Sequence, residues 1–230
     1  MDLIGLHLRE GLRGYGCPVC RGLDKFERGV IENILYEGVN DPSLRRKFRE
    51  SLGLCPYHAW KLFEVAHSNP LYGGLGVATI YEDMLRTYIS TLEENSTFHE
   101  GECYLCSLLE EKERILVESF AERLEELLDE YENSSAVLCR RHYSMIAELI
   151  EDPHLKERLR TVQIKKLEKL HGLITSFIEK FDYRSEERPS DEEIRAVRGT
   201  VEALKGLPLP LKPRGKKRGV IGFVWRRDRT

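Results

Sequence analysis

Four short cysteine boxes constrain this chain more than any other feature. Cys17-Pro18-Val19-Cys20 is followed by Cys55-Pro56-Tyr57-His58. Cys103-Tyr104-Leu105-Cys106 is followed by Cys139-Arg140-Arg141-His142. All 6 cysteines fall in these boxes. A Cys-x2-Cys turn aims two sulfurs at one point. In Cys-x2-His the ligands stand one helical turn apart and share a face. A tetrahedral zinc ion is satisfied by Cys3His, so the boxes supply two complete ligand sets with no cysteine left over. The sequence therefore predicts two Zn2+ per chain, held by Cys17, Cys20, Cys55, His58, Cys103, Cys106, Cys139 and His142.

Thiolates are the ligating form, and each box sits where a helix begins, so the helix dipole favours the charged sulfur. Four protein ligands close the coordination sphere and leave no position for a reactive water. The expected role is thus structural and non-enzymatic, a scaffold that acts through a protein partner or a second copy of itself. Two other readings use the same chain. The cysteines could form a dithiol redox or iron–sulfur protein, although the βαβ setting of thioredoxin-like motifs is missing. The basic C-terminus could bind nucleic acid.

Helical periodicity dominates the rest, and no segment alternates as a strand does. The expected fold is all-α. Apolar residues keep helical spacing from Cys20 to Tyr36. Asp41 reads as an N-cap with Pro42 at the first helical position, and Asp152 with Pro153 repeats that signal. Ser190 and Glu193 form a capping box for a last helix. Residues 1–16 read as an apolar, glycine-rich lead-in.

The spacing between boxes recurs. Cys17 precedes Cys55 by 38 positions and Cys103 precedes Cys139 by 36, and a leucine (Leu54, Leu138) precedes each Cys-x2-His box. This pattern predicts an internal duplication. It divides the chain into a first metal-binding helical unit (1–98), a second (99–152), C-terminal helices (153–205) and a basic Pro/Gly-rich tail (206–230). Pairing within each half is then the expected arrangement, Cys17, Cys20, Cys55 and His58 against Cys103, Cys106, Cys139 and His142. An unbroken helix over 104–132 would be about 42 Å long. The six residues 133–138 return only about 20 Å. Pairing within the second half therefore needs a sharp bend between about Ser119 and Glu126. Pairing across the halves is the alternative.

Charge narrows the partners. The net charge is −3, but residues 206–230 hold eight Lys/Arg and one Asp, which leaves the body acidic. An acidic body argues against a broad nucleic-acid face, and only 212–229, with Lys216, Lys217, Arg218, Phe223, Trp225, Arg226 and Arg227, offers cations beside aromatics. No apolar run is long enough to span a bilayer, and the N-terminus does not read as a signal peptide, so a cytoplasmic protein without membrane contact is expected. His67 and His99 read as solvated helix ends, and His7, His154 and His171 take no role. Glu110, Glu111, Glu113, Glu122, Glu125 and Glu126 read as a solvated helix face.

The boxes also resemble those of an uncharacterised bacterial and archaeal family, a domain of unknown function. The resemblance rests on Cys17–Cys20, Gly53–His58, the looser copy Cys103–Cys106 with Cys139–His142, and Phe181-Asp182-Tyr183-Arg184. It covers about residues 15–205, with Leu54 where the family would place an aromatic. It implies the metal boxes and no activity.

Overall fold

A computed structural model describes residues 3–97 and 101–212. Among these residues the protein is all-α, with ten α-helices, a short 3-10 turn and no named strand. In chain order they are α1 (Leu3–Leu12), α2 (Pro18–Tyr36), the turn Gly38–Asn40, α3 (Pro42–Glu50), α4 (Pro56–Ser68), α5 (Leu75–Glu93), α6 (Tyr104–Glu122), α7 (Leu124–Asn133), α8 (Arg140–Leu149), α9 (Pro153–Glu179) and α10 (Asp191–Lys205).

Local chemistry explains most of the helix starts. The Asp41 carboxylate accepts from the backbone N–H of Ser43 and Leu44, and that of Asp152 from His154 N–H. Ser190 and Glu193 exchange both bonds of a capping box. Each satisfies donors that the first helical turn leaves unpaired. Four other helices start at the metal boxes. Cys17, Cys55, Cys103 and Cys139 occupy the N-cap positions of α2, α4, α6 and α8, and none of the four caps its helix with a side-chain hydrogen bond. Those sulfurs are free to face elsewhere.

One element differs from the sequence reading and one follows it. Residues 3–12 form a helix whose Leu8 and Leu12 are buried in the core, because α1 packs on α2 and α6. The long helix after Cys103 breaks at Arg123, inside the window where a bend was expected, and α7 turns back from there. Some helices leave much of their apolar surface uncovered. On α5 the buried positions are Val77, Ile80 and Met84, while Leu75, Leu85, Tyr88 and Leu92 stay exposed. On α4, Leu62 and Val65 are buried and Trp60 and Phe63 are not.

Helices α2 and α6 pack against each other at the centre of the protein. Two cores flank the pair, and each draws on both halves of the sequence. One joins Leu8, Val19 and Leu23 to Leu109, Phe120, Leu127 and Tyr131. The other joins Ile31, Phe48 and Leu62 to Leu105. Beyond them, α10 lies along α9, and residues 206–212 run extended over the first core, with Leu207, Leu209 and Leu211 packed on it. The first part of the basic tail is therefore docked on the body of the protein. The rest of that tail, and His99, lie outside the described residues.

Candidate metal centres

The eight predicted ligands converge in two clusters, but not in the expected sets. Cys17, Cys20, Cys139 and His142 form one, called site A here, and Cys55, His58, Cys103 and Cys106 form the other, site B. Pairing within halves is thus overturned: each cluster takes the Cys-x2-Cys of one half and the Cys-x2-His of the other.

Helix length explains the exchange. Helix α2 has 19 residues and α3 only 9, about 28 Å out and about 13 Å back. The chain therefore regains only half of α2 before Cys55, and His58 arrives beside Glu27 rather than Cys17. Helix α6 has 19 residues and α7 has 10, and His142 likewise stops beside Glu113, at the middle of α6. Since α2 and α6 run antiparallel, the start of each lies at the middle of the other. The bend at Arg123 is present, yet it delivers Cys139 to Cys17 and Cys20 instead of Cys103.

Site geometry matches the edges of a metal tetrahedron. In site A, His142 Nδ1 lies 3.3 Å from Cys17 Sγ, 3.3 Å from Cys20 Sγ and 3.2 Å from Cys139 Sγ, and the Cys20 and Cys139 sulfurs are 3.8 Å apart. In site B, His58 Nδ1 lies 3.3, 3.5 and 3.4 Å from the sulfurs of Cys55, Cys103 and Cys106, with 3.6 Å between Cys55 and Cys106. Bonds of about 2.3 Å to sulfur and about 2.0 Å to nitrogen give edges of about 3.5–3.8 Å. Both clusters can therefore hold a metal ion.

Electrostatics points the same way. Left without a cation, burial pushes the Cys17 thiol well up, while hydrogen bonds from the Cys17 and Cys20 thiols drive Cys139 down. In site B burial raises Cys106. Burial also raises Cys103, but His58 and the backbone hydrogen bonds at Cys55 and Cys106 together outweigh it and bring this thiol to about 6. Neighbouring sulfurs cannot all ionise unaided. A divalent ion removes that conflict and releases the protons.

Two further residues complete the sites, and the sequence reading missed both. The far ring nitrogens of the histidines meet buried glutamates: His142 Nε2 lies 2.9 Å from Glu113 Oε1, and His58 Nε2 lies 3.0 Å from Glu27 Oε1. With Nδ1 facing the sulfurs, Nε2 carries the proton and donates to the carboxylate, which orients the ring and raises its basicity as a ligand. Glu113 is thus no member of a solvated face. It is 3% exposed, and Arg141 grips both its oxygens at 2.6 and 2.7 Å. Burial would raise the Glu113 carboxyl, but Arg141 and His142 bring it down to about 2. A signal was available, since each glutamate stands ten residues after the first cysteine of its half. His67 keeps to the solvated role, with its ring on Phe63.

Short-range bonds fix the ligand loops. Gly16 and Ala136 pair as an isolated bridge, and Val137 N–H donates to the Gly16 carbonyl at 3.0 Å, which joins the segments carrying Cys17 and Cys139. Leu138 N–H donates to the Tyr131 hydroxyl and Gln163 Nε2 to the Leu138 carbonyl, so a buried polar cluster holds the residue before Cys139.

Fold and sites together define an all-α protein with two Cys3His clusters, each spanning both halves of the chain. The protein belongs to the Family of unknown function (DUF6062), whose model matches residues 81–208. It is 30% identical over 211 residues to the "Uncharacterized 23.9 kDa protein in xynA 3'region" of Caldicellulosiruptor sp. (strain Rt8B.4), a match covering 86% of this chain and 98% of that relative. No solved structure matches. The family match includes Cys103, Cys106, Cys139 and His142 but only half of each cluster. No helix among the described residues is long and apolar enough to cross a membrane.

Proposed function

We propose that the protein is a non-enzymatic, zinc-stapled helical scaffold carrying two Zn2+ per chain. The observation that carries this reading is the spacing of the ligand atoms, in which one imidazole nitrogen and three sulfurs stand at the edges expected around a single ion. A multi-iron cluster would hold the same ligands further apart. Four protein ligands per ion leave no open position for catalysis. Each ion joins the two halves, so metal binding contributes directly to the folding free energy. The matched positions of the boxes and of Glu27 and Glu113 support an origin by internal duplication.

An interaction role is supported by the surface of α10, where Ile194, Val197, Val201 and Leu204 recur at heptad spacing and stay 41–59% exposed. Such a stripe is suited to packing on another helix. Elemental analysis of the purified full-length chain tests the metal reading. Two zinc per chain and a colourless solution are expected. Iron with charge-transfer absorption would favour the iron–sulfur alternative, and a metal-free, folded chain would overturn the staple.

A further inference from the structure

The two clusters have the same ligands but different surroundings. Site A is sealed: Cys17, Cys20, Cys139 and His142 are 3, 2, 1 and 0% exposed. Gly206 closes it from above, with a positive φ of 77° open chiefly to glycine. A Cβ at Gly206 would stand 3.3 Å from Cys20 Sγ and 3.6 Å from Cys139 Sγ. The extended stretch that follows is tied down, since Arg141 Nη1 donates to the Lys212 carbonyl and Lys212 Nζ bonds Glu102 and Glu110. Arg141 thus clamps both the carboxylate under His142 and the cover over the sulfurs.

Site B lacks each of these features among the described residues. Cys55 and Cys106 are partly exposed. Tyr57 occupies the position matching Arg141, directly before the histidine. Glu27 is fully buried, yet its Oε2 makes no close hydrogen bond: Tyr57 engages this carboxylate only loosely, and Lys61 Nζ stands 3.8 Å away. An outer-shell carboxylate held this loosely orients its histidine less firmly than one gripped at short range on both oxygens. Losing such support typically costs about 10–100-fold in metal affinity.

We propose that the sites divide the work: site A keeps a permanent structural ion, and site B exchanges its ion with thiol-bearing or other chelating ligands in solution. This rests on the zinc reading above. Exchange would begin at the partly exposed Cys55–Cys106 edge, where the donors of a chelator would replace the two thiolates one for one, and Cys103 and His58 would then give up the ion to the chelate. The vacated thiolates would take up protons from the solution, and no electrons would change hands.

The test is zinc release from the two-zinc, full-length protein into excess 4-(2-pyridylazo)resorcinol, followed by absorbance. Two phases of one equivalent each are expected, separated at least about tenfold in rate. Cys106→Ser should abolish the fast phase and leave the slow one unchanged. Two variants keep all eight ligands: Tyr57→Arg, which replaces the loose contact on Glu27 with a two-oxygen grip, should slow the fast phase, and Gly206→Ala, which pushes the cover off the sulfurs, should speed only the slow one. Release of both equivalents at one rate, or a fast phase indifferent to Cys106→Ser and Tyr57→Arg, overturns the division while leaving the zinc reading intact. A chain isolated folded and without zinc overturns both.

Discussion

Glu113 shows how much one side chain can change role with its surroundings. Within the sequence it is one acid among many on a charged helix. In the folded protein it lies beneath His142, gripped by Arg141. Its neutralisation should therefore act through the metal. Glu113→Gln is expected to weaken zinc at site A by about 10–100-fold, and Glu27→Gln should do the same at site B, each leaving the other site unchanged. Competition titrations against a chelator of known affinity check this. A solvated glutamate would show no such selectivity. The ligands themselves were legible from their spacing, because Cys-x2-Cys and Cys-x2-His carry their own geometry. Their supporting carboxylates were not, since a glutamate acquires that role only from what the fold sets opposite it.

The helices follow local signals closely. Asp41, Asp152 and Ser190 begin helices because their side chains satisfy N–H groups that the first turn leaves open, and these starts could be read directly. Inward faces were harder to read where a helix is only partly covered, as on α5. There the C-terminal half offers apolar residues to solvent, and periodicity alone cannot say which stripe is buried. Besides the apolar core that Leu44 and Phe48 share with Val77, Ile80 and Met84, ion pairs join α5 to α3. Asp83 accepts from Arg45 Nε at 2.9 Å and from Arg49 Nη1 at 2.8 Å. Burial would raise its carboxyl, but these two guanidinium groups outweigh that and hold it below the usual range. Asp83→Asn should cost about 1–3 kcal/mol at neutral pH, measured as a urea midpoint. A carboxyl depressed in the folded state stabilises fully above its unfolded pKa of about 3.9 and loses that contribution as pH falls through the depressed value. The gap between wild type and variant should therefore close in acid, and a gap independent of pH would remove the ion pairs as its cause.

For the whole molecule, the crossed ligand sets mean that a metal held in either cluster would join the two halves. A protease site inserted after Ser96 and then cut should leave the pieces together while zinc is present. Added chelator should lower the melting temperature of the intact chain and release the cut pieces from one another, as seen by size-exclusion chromatography. Had each half kept its own ion, chelation would loosen both pieces internally instead. By itself the sequence determined the all-α class, the eight candidate ligands and their placement at helix starts, because these depend on contacts between residues close along the chain. Only the tertiary structure decided which four ligands meet. That outcome depends on α2 and α6 lying antiparallel, with the middle of each beside the start of the other. A histidine that stops at Glu27 or at Glu113 therefore meets the Cys-x2-Cys of the other half, and the spacing within the boxes carries no trace of that neighbour.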